Sequence, residues 1–83
     1  MVLLKNIVRN GNLISCDYYP EAKSCVGYIC VDISTEKMME HRPSDFEGCL
    51  LFKDESYAWH ARNKLLEICE RKPLPKEAKV MWY

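Results

Sequence analysis

The chain carries no excess of either charge, no apolar run long enough to cross a bilayer and only three glycines, all distant from one another. Twelve Lys and Arg balance twelve Asp and Glu, so no net field concentrates a polyanion or pulls the protein onto an acidic membrane. Nucleic acid is therefore a disfavoured partner from the outset. A membrane span needs roughly 18 to 20 consecutive apolar residues, and no stretch approaches that. The opening residues, Met1 to Lys5, meet a charge too early for a signal peptide, which makes the cytoplasm the expected compartment. Gly11, Gly27 and Gly48 stand too far apart to build a phosphate loop, in which several backbone N–H groups must converge on one anion.

Cysteine is plentiful, yet its spacing excludes most cysteine chemistry. Cys16, Cys25, Cys30, Cys49 and Cys69 are odd in number, which fits poorly with a closed disulfide framework, and in a reducing compartment they stay thiols. Structural zinc sites draw on closely spaced knuckles. The closest pair here, Cys25 and Cys30, is five residues apart in an expected strand, so the two side chains leave on opposite faces. His41, with Glu40 and Asp45 in a polar loop, reads more simply as solvated surface than as a metal site. A cysteine nucleophile needs an exposed thiolate beside a base, but Cys16 and Cys69 fall at apolar core positions, and no local signature links Cys30 or Cys49 to His41 or His60. Glu47, Asp54 and Glu55 precede or open a helix, where they favour its dipole and cap. No catalytic residue, metal ligand or cofactor is assigned, and the chain does not read as an enzyme.

What the sequence does contain is a change of hydrophobic period near Asp54, from strand-like alternation to helical spacing. Eighty-three residues, 48% of them apolar and 11% aromatic, suffice for one core, and we read residues 1–83 as a single α+β domain. Leu3 to Val8 and Leu13 to Tyr19 are strand-like runs flanking Asn10-Gly11-Asn12, a strong hairpin signal. A two-residue Asn10-Gly11 loop sets Ile7 against Ile14. A three-residue loop sets Val8 against Ile14 and Leu4 against Tyr18, and the residues leave both registers open. After a turn at Pro20 to Ser24, Cys25 to Ile33 places Gly27, Ile29, Val31 and Ile33 on one face, matching Ile14, Cys16 and Tyr18 on the strand before. These two strands are expected to be central. Ser34 to Lys37 reads as a turn, and Met38 to His41 as a short fourth strand in preference to a helical turn capped by Ser34 or Thr35. Phe46 to Phe52 stays ambiguous.

A helix is expected from about Glu55 to Lys72, capped by Asp54 or Ser56 and stopped by Pro73, with Arg71 and Lys72 at its negative end. Tyr57, Ala58, Ala61, Leu65, Ile68 and Cys69 gather on its apolar side, and His60, Asn63, Lys64, Glu67 and Arg71 opposite. Lys79 to Tyr83 has the composition of a returning strand, placed at a sheet edge. The fold class is thus α+β: an antiparallel meander of three to four strands packed against one helix, with a C-terminal strand, in the order β-β-β-(β)-α-β.

Two groups of residues are candidates for binding. Trp59 and Leu66 are spaced two helical turns apart, with Arg62 and Asn63 between them, at the margin of the apolar stripe; an aromatic, an aliphatic and an arginine so grouped resemble interface hot spots. A purely structural alternative is that Trp59 and Leu66 widen the contact between helix and sheet. Tyr19, Tyr28 and Tyr83 form the second group, on the solvent face of the sheet. Such rings can stack unpaired bases when cations flank them, but Asp17 and Asp32 share that face and oppose a phosphate backbone. The basic residues Lys64, Arg71, Lys72, Lys76 and Lys79 read as a solvated face. The expected role is a small interaction or regulatory protein that binds a protein partner or a second copy of itself, with a homodimer formed by strand pairing or apolar contact. The alternative is a nucleic-acid-binding accessory protein using the C-terminal cations and sheet tyrosines.

Overall fold

A computed structural model of the chain describes residues 1–21, 26–42 and 53–81, with helix side chains described from Tyr57 onward. The elements are β1 (Val2–Asn10), β2 (Leu13–Pro20), β3 (Gly27–Asp32), β4 (Lys37–Arg42), α1 (Lys53–Ile68) and β5 (Ala78–Val80). They build one antiparallel sheet of order β4-β3-β2-β1-β5, with α1 laid on one face against β2, β3, β1 and β5. The α+β meander, its crossing helix and the edge position of the last strand follow the sequence reading. The expected residues Cys25, Cys49, Asp45, Phe46 to Phe52, Trp82 and Tyr83, and the capping side chains of Asp54 and Ser56, lie outside the described residues.

The first hairpin adopts neither anticipated register near its turn. Asn10 pairs with Leu13, so the loop is Gly11-Asn12, and Gly11 alone there has positive φ, at 64°. Glycine at the first central position is the type II′ pattern, whose twist suits a hairpin. Further along β1 the register shifts between Lys5 and Val8, where Asn6 takes the left-handed conformation with φ 55°. This bulge has a packing cause. Val2, Leu4 and Ile7 are all buried, and strict alternation cannot bring both Leu4 and Ile7 inward; one extra residue does so. Beyond the bulge Leu4 meets Tyr18, the pairing expected from a three-residue loop.

The core face carries Val2, Leu4, Ile7, Ile14, Cys16, Tyr18, Ile29 and Val31 from the sheet and Ala58, Ala61, Leu65, Ile68 and Cys69 from α1. Ala58 and Ala61 are small enough to bring the helix backbone close to the strands. The helix is shorter than expected. It ends at Ile68 with no basic residue in its last turn, so Arg71 and Lys72 do not complement its dipole. Their part is taken by Arg9 at the end of β1, whose Nη1 donates to the carbonyl oxygen of Cys69 at 2.7 Å. A cation reaching the helix exit from the sheet satisfies a free carbonyl there and favours the negative end. Pro73 therefore follows a stop already made.

Candidate functional site

The margin of α1 separates the three residues grouped by their spacing. Leu66 is partly buried and packs on the core, so it widens the helix–sheet contact. Trp59 does not: it remains 54% exposed. The Arg62 guanidinium lies over its ring, 4.6 Å from the centroid, and is itself fixed. Its Nε and Nη2 donate to the Glu36 carbonyl oxygen at 3.0 and 2.6 Å, and its Nη1 to Asn63 Oδ1 at 2.6 Å. Glu36 belongs to the β3–β4 turn and has a left-handed φ of 61°. That turn is organised in turn by Asp32, whose Oδ1 accepts from Ser34 Oγ at 2.7 Å and from the Ser34 N–H at 2.9 Å. The Ser34 hydroxyl bond, with help from the Ser34 and Thr35 N–H groups, holds the Asp32 carboxyl below its ordinary pKa. A chain of polar contacts thus runs from Asp32 through Glu36 and Arg62 to an exposed tryptophan.

The sheet face away from α1 holds Tyr19 and Tyr28. Tyr28 lies opposite Asp17 on β2 and Arg42 on β4, and Asp17 lies opposite Lys5 on β1. One ladder therefore reads Lys5, Asp17, Tyr28, Arg42. Each tyrosine has its own cation: Lys5 Nζ sits 5.4 Å from the Tyr19 centroid and the Arg42 guanidinium 4.3 Å from that of Tyr28. Asp17 accepts from Asn6 Nδ2 at 2.8 Å, which ties the β1 bulge to this face. A cleft of about 210 Å³ lies between Asp17, Val26, Gly27, Tyr28 and Arg42. The two rings are diagonal neighbours and do not form a continuous stacking platform.

Sequence reasoning missed a contact beneath the sheet. Tyr18 is fully buried, and its hydroxyl lies 2.8 Å from His41 Nε2 on β4. The ring reaches across β3 because its direct partner is Gly27; a Cβ there would overlap the ring. The opposition of Tyr18 and Gly27 on matched core faces was the available signal. His41 lies on β4, as the fourth strand expected over Met38 to His41 implies and unlike the polar-loop reading of it beside Glu40 and Asp45. Being adjacent on that strand, Glu40 and His41 point to opposite faces, so they do not converge on a metal. Among the described residues no group of three or more His, Cys, Asp or Glu side chains is placed to hold a metal ion. Burial, with the nearby Asp17 charge, drives the Cys16 thiol far above its ordinary pKa, the reverse of what a nucleophile needs.

At the helix exit, Arg9, Gly11, Cys69, Glu70, Arg71, Lys72, Pro73 and Leu74 line an open groove of about 460 Å³. Arg9 is its most constrained member: besides Cys69 it donates from Nε to the Gly11 carbonyl at 2.9 Å and pairs with Glu70 at 3.1 Å.

Fold and surface together define a small α+β domain, a five-stranded antiparallel sheet covered on one face by a helix with an ordered aromatic at its rim. Comparison with protein-family models, with curated proteins and with solved structures returns no match. No described helix is long and apolar enough to cross a membrane.

Proposed function

We propose that this chain is a non-catalytic interaction domain that recognises a protein partner, or a second copy of itself, through the Trp59 and Arg62 rim of α1. The observation that carries this reading is the pinned, exposed Trp59. A domain of this size gains stability by burying a tryptophan, yet here the ring faces outward with Arg62 ordered above it by the Glu36 carbonyl. Interface anchors are enriched in Trp and Arg, and side chains already immobilised lose less entropy when a partner arrives.

Strand pairing is the weaker route to self-association. β5 has only three residues. β4 is interrupted by a register shift opposite Cys30 and Val31 and carries the charged residues Lys37, Glu40 and Arg42. Short, bulged and charged edges resist pairing with another sheet. The rim and the exposed sheet face are the better surfaces.

The test compares affinity capture by the wild-type chain, Trp59→Ala, Arg62→Ala and the remote exposed-site control Val8→Ala, with light scattering of each purified protein. The proposal expects one bound species, foreign or self, that is lost in both rim variants and kept in the control. Identical captured species and identical masses across all four proteins would overturn it.

A further inference from the structure

We propose that the groove at the exit of α1 is a second recognition subsite, which takes an acidic protein segment carrying an apolar side chain beside its carboxylates. The proposal deepens the interaction reading by naming the chemistry of the partner. The net charge of zero conceals a separation of charge. β1, β5 and the segment that joins α1 to β5 carry Lys5, Arg9, Arg71, Lys72, Lys76 and Lys79 against Glu70 and Glu77, whereas the described parts of the other strands and turns carry Asp17, Glu21, Asp32, Glu36 and Glu40 against Lys37 and Arg42. The groove is the concave part of the basic side.

Its donors are available. Arg9 spends Nε and Nη1 on Gly11, Cys69 and Glu70, and its Nη2 makes no hydrogen bond among the described residues. Among the described residues the Arg71 guanidinium pairs only with Glu67 Oε1, at 3.4 Å. Lys72 is exposed and has no ion pair among the described residues. Against these three cations the groove sets one acid, Glu70, already paired with Arg9. The intervening wall is apolar, made by Cys69, Pro73 and Leu74. Cations around an apolar wall match a carboxylate next to a Leu or Phe side chain. A single-stranded nucleic acid is the poorer match, because the groove has no aromatic lining on which a base could stack. The cation-capped tyrosines lie on the sheet face away from the helix.

The position extends the rim already described. Trp59, Arg62 and Leu66 run along α1, and Glu70, two residues past the helix end at Ile68, lines the groove that follows. A bound segment can therefore contact the tryptophan at one end and the arginines at the other.

The experiment titrates the full chain, isotopically labelled, with a short peptide of alternating Glu and Leu while amide resonances of Gly11, Cys69 and Leu74 are followed. Matched titrations use a Lys and Leu peptide, inorganic phosphate and an oligothymidylate. The acidic peptide should shift these amides saturably, more weakly at higher salt, and the surface double variant Arg71→Glu with Lys72→Glu should bind roughly tenfold more weakly. Silence of the groove amides, undiminished binding by the double variant, or equal or stronger shifts from the oligothymidylate, the phosphate or the basic peptide would each overturn the proposal. Because the reporters sit in the groove, such a failure is distinct from failure of the rim, which is read by the Trp59→Ala comparison.

Discussion

At the scale of single residues, two contacts carry consequences out of proportion to their size. Gly27 exists to let Tyr18 pass: the ring occupies the space a Cβ would need, and Tyr18 is too deeply buried to retreat. Gly27→Ala should therefore destabilise the fold by about 1 to 3 kcal/mol, the usual range for overpacking, measured as a lower urea midpoint with an unchanged slope. Tyr57 offers a test through pH. Its hydroxyl donates to Glu21 Oε2 at 2.8 Å, and burial, followed by the hydrogen bond and charge of Glu21, raises its pKa from 10.0 to about 12. The folded chain then holds this proton where the unfolded chain has released it. Stability from this group is complete below pH 10.0 and is lost as pH climbs toward about 12. Tyr57→Phe should flatten that alkaline decline in a series of urea melts, and an equally steep decline in the variant would refute the assignment.

At the scale of elements, the helix is held by packing along its middle and by polar contacts toward its ends. Leu65 is fully buried, and Leu65→Ala should cost about 2 to 5 kcal/mol, read from thermal and urea unfolding together. Most of this level was legible in the residues. Alternation in β2 and β3 named their core faces correctly, because both strands lie inside the sheet and present one face to α1. Of the helix stripe that emerged from the period, Ala58, Ala61, Leu65, Ile68 and Cys69 are buried and Tyr57 is partly buried. What failed was decided by contacts between distant residues. The helix exit depends on Arg9, 60 positions away from Cys69, so local signals around Pro73 placed it too late. The hairpin register depends on a bulge that exists to turn Ile7 inward, and no turn rule contains that demand.

At the scale of the whole molecule, one helix covers one face of a sheet whose described edge strands are short, or shifted in register and charged, and the proposed contact surface is the rim of that helix. The site was legible only in part. Spacing identified Trp59, Arg62 and Leu66 as a group, but only three-dimensional placement divides an exposed, arginine-capped tryptophan from a leucine that serves the core. Tyr19 and Tyr28 share a face as their alternation implied, yet one cation comes from β1, whose register the sequence left open, and the other is Arg42, just beyond the strand expected over Met38 to His41. Trp59 stands outside the core with the Arg62 guanidinium over its ring, and the proposed function rests on that placement. It is tested most directly by the fluorescence of Trp59 in a Trp82→Phe background, with acrylamide quenching and anisotropy recorded for that protein and for the same chain carrying Arg62→Ala. Emission should be solvent-shifted and readily quenched in both proteins, with a lower anisotropy once Arg62 is removed; blue-shifted, protected emission, or an anisotropy indifferent to Arg62, would overturn this placement of Trp59.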